Sequence, residues 1–179
     1  MAPKTLAACA ALALLVPLSA GAQQPQPAAP PAAAPAAAPA AAPLPYGMPI
    51  TLDAAKKALA AAEQEATKNN WNVAMVVVDS GGHLVMMQRL DGTQIASIRI
   101  AEGKARTALE FRRPSKALED GITAGGAGLR ILGVEGVTPL EGGVLIQSGG
   151  RIIGAIGVSG VLSSQDAQTA RAGAEAAVR

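Results

Sequence analysis

The chain has 179 residues, with 15 Lys and Arg against 13 Asp and Glu and a single histidine, for a formal net charge of +2. No basic run and no series of stacking aromatics is present, because the aromatic set is Tyr46, Trp71 and Phe111, so nucleic acid is set aside as a partner. One histidine also excludes a multi-histidine zinc or copper site within one chain.

Lys4 supplies a positive n-region, residues 5–18 an apolar h-region, and Ala20-Gly21-Ala22 an A-x-A cleavage site, so residues 1–22 read as a cleavable signal peptide. The apolar run of about 14 residues falls short of the roughly 20 that a membrane span needs. A secreted or periplasmic protein without stable membrane insertion is therefore expected. Cys9 sits in a lipobox-like Leu6-Ala7-Ala8-Cys9 but precedes most of the h-region, which argues against a lipid anchor. Cleavage after Ala22 would remove this only cysteine, and with it disulfides and thiolate ligands. Residues 23–45 are nearly all Pro, Ala and Gln, a composition unable to offset its ordering entropy, and read as a disordered or polyproline-II linker. Residues 46–179 remain for one domain with a core of Val, Ile, Leu, Met and Ala.

Within that domain, Thr51 followed by Leu52, Ala55, Leu59, Ala62 and Ala66 predicts a capped amphipathic helix over 51–68, ended by Asn69-Asn70. Strands over 72–79 and 83–89 follow, joined by a tight turn at Gly81-Gly82. Strict alternation places His83, Val85, Met87 and Arg89 on one face of the second strand, with Leu84, Met86 and Gln88 on the other. A second helix over 94–110 turns Ile95, Ile98, Ala101, Ala105 and Ala108 inward and leaves Arg99, Glu102, Lys104 and Arg106 outside. Pro114-Ser115 opens a short helix to Asp120, and the glycine-rich residues 121–140 form a loop with fragments of structure. Strands over 144–147 and 151–159 form a second hairpin across Ser148-Gly149-Gly150, and Ser164 with Asp166 caps a closing alanine-rich helix. Hairpins imply antiparallel pairing, and strands apolar on both faces imply helices on both sides. The expected fold is an α/β/α sandwich around a single antiparallel sheet of about five strands.

Familiar catalytic patterns fail. Gly157-Val158-Ser159-Gly160-Val161 lacks the fifth glycine of a nucleophile elbow, and no helix follows it directly. Gly125-Gly126-Ala127-Gly128 lacks a preceding strand and the spacing of a dinucleotide loop. Nothing in the sequence requires catalysis.

Three stretches together resemble the GlcG/HbpS family of haem-binding proteins: "VVVDSGGHLVMMQRLDGT" (76–93), "KARTALEFRRPS" (104–115) and "EGGVLIQSGGRIIGAIGVSG" (141–160). The likeness runs from about residue 51 to 173. It implies a profilin-like α/β/α fold and homo-oligomeric assembly. Secreted members of the family bind haem and take part in haem or redox sensing, while cytoplasmic relatives sit near glycolate or propanediol metabolism. The signal peptide places this chain with the secreted branch.

The candidate haem site centres on His83, whose imidazole is a common iron ligand, although a turn residue beside two glycines is equally suited to simple solvation. Met87 is a second possible ligand. The two cannot grip one iron from the same strand, since four residues separate them by roughly 13 Å. Tyr46, at the linker edge, is a weaker candidate. Propionates, or any small carboxylate, need cations, and Arg89 shares the expected His83 face. The resemblance adds Lys104 and Thr107, from its Lys-Ala-x-Thr-Ala motif; Arg99 and Arg106 read as a solvated helix face. The glycines at 142, 143, 154, 157 and 160 are expected to permit close backbone approach. The expected function is haem scavenging, storage or sensing. The alternatives are a small 2-hydroxy or 2-oxo acid clamped by Arg89 and Lys104, or a cofactor-free structural oligomer.

Overall fold

The computed structural model describes residues 42–179, so the expected signal peptide and most of the linker lie outside the described residues. Thr51 Oγ1 accepts from Ala54 N at 3.2 Å and opens α1 (Leu52–Lys68). Asn70, at φ 57°, turns the chain out of it. The hairpin β1 (Ala74–Asp79) and β2 (Leu84–Arg89) follows, then α2 (Ser97–Glu110), α3 (Lys116–Thr123) and a 3₁₀ segment over Gly126–Gly133. The second hairpin, β3 (Gly143–Ser148) and β4 (Arg151–Ser159), leads into α4 (Ser163–Ala176).

Among the described residues the sheet has four strands in the order β2-β1-β4-β3, every pair antiparallel, rather than five. In place of a fifth strand, Pro45 O accepts from Ile152 N at 2.9 Å and Gly47 N donates to Ile152 O at 2.8 Å, forming one parallel bridge. Pro43, Pro45 and Pro49 lack amide donors, so this segment cannot extend a ladder.

α1 and α4 cover one face of the sheet through Leu59, Ala62, Met75, Val77, Ile156 and Ala170. α2 covers the other through Val76, Val78, Ala101, Ala105, Leu109 and Ala155. This second layer is close-packed because small residues meet. A Cβ at Gly157 would lie 2.6 Å from Ala105 N and closer still to Ala101 O, so glycine is what lets α2 rest on β4.

Three local expectations change. α2 starts at Ser97, not 94, and Ile95 is left exposed ahead of it. Ser164 does not cap α4; Gln165 Oε1 accepts from Leu162 N instead, at 3.2 Å. Lys104, expected outside, is buried.

Candidate functional site

The β1–β2 turn is organised by one carboxylate. Asp79 Oδ1 accepts from Gly81 N at 2.8 Å and from His83 N at 2.9 Å. Partial burial pushes the Asp79 carboxyl upward, but these amides and the His83 imidazole outweigh it and hold its pKa below the ordinary 3.8. Gly82, at φ 84°, brings the turn against α2, where a Cβ would stand 3.7 Å from Arg106 Nη1 and Leu109 Cδ2.

The expected facing of β2 is not what forms. Met87 pairs with Val76 and Met86 with Val77, but Leu84 pairs with Val78, leaving Val85 as a bulge. The bulge reverses the alternation. Leu84, Met87 and Arg89 lie on the α2 side of the sheet, opposite Val78, Val76 and Ala74, while Val85 and Met86 both pack on the α1 and α4 side. His83 turns toward Asp79, with Nδ1 at 3.4 Å from Oδ1, and its side chain is 83% exposed. His83 and Arg89 therefore do not share a face.

What the structure does bring together is a different surface. α2 packs across β4, β1 and β3, and among the described residues no helix packs on the α2 side of the edge strand β2. Leu84 and Met87 are 52% and 43% exposed there, with Arg89 exposed at one end and the Arg106 guanidinium beside the hairpin turn at the other.

Lys104 and Thr107 are committed elsewhere. Lys104 Nζ lies 2.8 Å from Asp166 Oδ2 and 3.1 Å from Val158 O, with both charged side chains only 2% exposed. The pair ties α2, on one face of the sheet, to α4, on the other. Gly142 leaves room for it, since a Cβ there would stand 2.8 Å from Lys104 Nζ. Burial is the larger influence on Asp166 and pushes its pKa above 3.8, against the pull of Lys104 and of the Val161 and Gly160 amides. An ammonium so enclosed is not on offer to a substrate, so the clamp expected from Arg89 and Lys104 is not assembled. Thr107 is fully buried, and its Oγ1 accepts from Thr138 N at 2.8 Å. Tyr46 spends its hydroxyl on Leu109 O at 2.9 Å and stacks under Arg112 at 5.4 Å.

Two residues read as solvated, Arg99 and Arg106, instead line a groove of about 440 Å³ between α2 and residues 136–138. Their spacing of seven on one helix, with Gly103 between them, is the signal that the sequence held. Among the described residues no group of three or more His, Cys, Asp or Glu side chains is placed to hold a metal. Among them, too, no helix is long and apolar enough to cross a membrane.

A family model described as "Haem degrading protein HbpS-like" matches residues 50–175. The chain belongs to the GlcG/HbpS family. It is 42% identical to Protein GlcG of Escherichia coli K12 over 105 residues, which span 59% of this chain and 77% of that one. The fold is similar to a double mutant of HbpS from Streptomyces reticuli, with a TM-score of 0.67 and 34% identity, covering 81% of this chain and 97% of that one. It is also similar to PduOC, crystallised as a haem complex, with a TM-score of 0.66 and 25% identity over 72% of this chain and 95% of that one. The family is thus a haem-associated one.

Proposed function

We propose that this protein is an exported haem-binding protein that holds its ligand on the open face of β2 for scavenging, storage or sensing. The observation that carries the location is that face itself: an apolar strip of Leu84 and Met87, uncovered by any helix among the described residues, with guanidiniums at both ends. A flat macrocycle with an apolar body and both carboxylates on one edge needs apolar area with a cation at one border, and either end of this strip offers that. Haem would supply the iron and its redox chemistry. The chain's own part is to seat the ring on Leu84 and Met87, with the propionate edge drawn to Arg106 at the turn end or to Arg89 at the other. His83 lies off this face, beside Asp79, and is not needed to seat the ring. β2 is an edge strand, and a second copy of the chain is the cover we assign to it, which makes the working unit a homo-oligomer.

Titration of the full chain with hemin tests the reading. The expected result is a Soret shift that weakens at least tenfold in affinity in Met87→Asp and Leu84→Asp. A wild-type protein that leaves the hemin spectrum unchanged would refute haem binding and leave a structural oligomer. Retention of the full Soret change in both Asp variants would move the site away from β2. His83→Ala should keep the shift, and its loss would move the ligand to the Asp79 side of the hairpin.

A further inference from the structure

We propose that the groove between α2 and residues 136–138 is a binding site for an organic carboxylate, with Arg99 and Arg106 as its cationic wall. The site stands on its own geometry. It meets the β2 face only at Arg106, so the carboxylate has two possible sources: a propionate of haem bound on that face, or a free acid.

The wall is built, not incidental. Arg99, Gly103 and Arg106 fall at i, i+4 and i+7, on one side of α2. A side chain at Gly103 would stand 3.0 Å from Thr138 Cβ, so glycine lets the loop rest on the bare helix. Thr107 Oγ1 then fixes the loop by accepting from Thr138 N at 2.8 Å. The groove so formed, about 440 Å³, is lined by Ile100 and Val137 as well as by the two arginines. An apolar body ending in an anion is the ligand chemistry that matches such walls.

The charge balance is also favourable. Glu102 Oε1 accepts from Arg106 Nε at 3.1 Å and Nη2 at 2.9 Å. Arg99 has no carboxylate within 4.0 Å among the described residues, which leaves two guanidiniums facing one carboxylate. Arg99 is then the principal anchor, and Glu102 is a built-in competitor that holds Arg106 until a ligand replaces it.

The experiment uses the full chain with benzoate as probe and benzamide as its neutral isostere. Benzoate should move the amide resonances of Gly103, Gly136, Val137 and Thr138 in ¹⁵N spectra, and benzamide should not. Arg99→Ala, a change on an exposed helix position that favours helix, should weaken benzoate about tenfold, as loss of a charge-assisted pair does. Glu102→Gln should strengthen it about threefold or more by releasing Arg106. Equal responses to benzoate and benzamide, or unchanged benzoate affinity in Arg99→Ala, would overturn the proposal. Haem against haem dimethyl ester then separates the sources. If Arg99→Ala weakens haem but not its ester, the carboxylate is the propionate; if it weakens benzoate alone, the ligand is a free acid. The benzoate arm needs no haem, so failure of the haem reading and failure of this one are told apart.

Discussion

Replacing Lys104 by Met tests whether the interior ion pair is what ties the two helical layers across the sheet. The substitution keeps the length and apolar stem of the side chain but deletes two hydrogen bonds, to Asp166 Oδ2 and Val158 O. It strands a carboxylate that is 2% exposed, with only backbone amides left to hold it. Breaking a buried pair from one side costs about 3–5 kcal/mol, most of it the uncompensated charge. For a domain of this size each kcal/mol moves Tm by roughly 3–5 °C, so a fall of about 10–20 °C is expected. The cost should depend on pH in one direction. Asp166 already has a folded pKa above its unfolded 3.8, so its contribution to stability is fullest below 3.8 and declines as pH rises through the folded value. Removing the ammonium raises that folded value further. The deficit of Lys104→Met relative to wild type should therefore be smaller at pH 4 than at pH 7. The double variant Lys104→Met/Asp166→Leu, which removes the charge altogether, should recover most of the loss. Urea titrations of the three proteins at both pH values decide the matter. A single-variant loss under about 1 kcal/mol, or a double variant no better than Lys104→Met, would show that the pair is not the tie described.

Other substitutions probe the remaining contacts. Gly157→Ala should drive α2 off β4 and cost about 1–3 kcal/mol or more in urea unfolding, because its Cβ would meet the backbone of Ala101 and Ala105. Thr107→Val keeps the shape but removes the acceptor for Thr138 N; hydrogen exchange at that amide should quicken while global stability falls by only about 1–3 kcal/mol. Asp79→Ala should loosen the hairpin by about 1–2 kcal/mol, seen as lost protection at Gly81 and His83. Because the folded pKa of Asp79 lies below its unfolded 3.8, the stability it gives is present above 3.8 and lost as pH falls through the folded value. The gap between wild type and Asp79→Ala should accordingly close in acid.

Much of the architecture is written locally. The capped stripe from Thr51 to Ala66, the glycine turns of both hairpins and the apolar run of β4 each carry a period or a breaker that a chain of this composition cannot use otherwise, and α1 and β4 form at the expected positions. The burial of Lys104 is not local. Helical spacing does set it on the inward side, three residues after Ala101 and four before Ala108, but what keeps a charge there is its partner Asp166, 62 residues away on the opposite layer. The facing of β2 was illegible for a sharper reason. Leu84, Val85, Met86 and Met87 are apolar without a break, so both parities bury equally well, and nothing in the side chains records which one a one-residue bulge will select.

The same residues explain why family likeness and ligand site separate here. The stretches that carry the resemblance are largely spent on the scaffold: Asp79 closes the hairpin, Lys104 and Gly142 build the tie to α4, Thr107 pins the loop at Thr138, and Gly157 seats α2. A group enclosed and hydrogen-bonded in that way has little left with which to discriminate among ligands. Selectivity must then come from side chains that the scaffold leaves uncommitted, and the described surface offers two such sets: Leu84, Met87 and Arg89 on β2, and Arg99 in the α2 groove. Exchanging these residues between family members should transfer ligand preference without changing stability, whereas exchanging the scaffold residues should do the reverse. Measuring hemin and benzoate affinity together with Tm for both kinds of exchange would test that division, and a scaffold exchange that altered preference at constant Tm would break it.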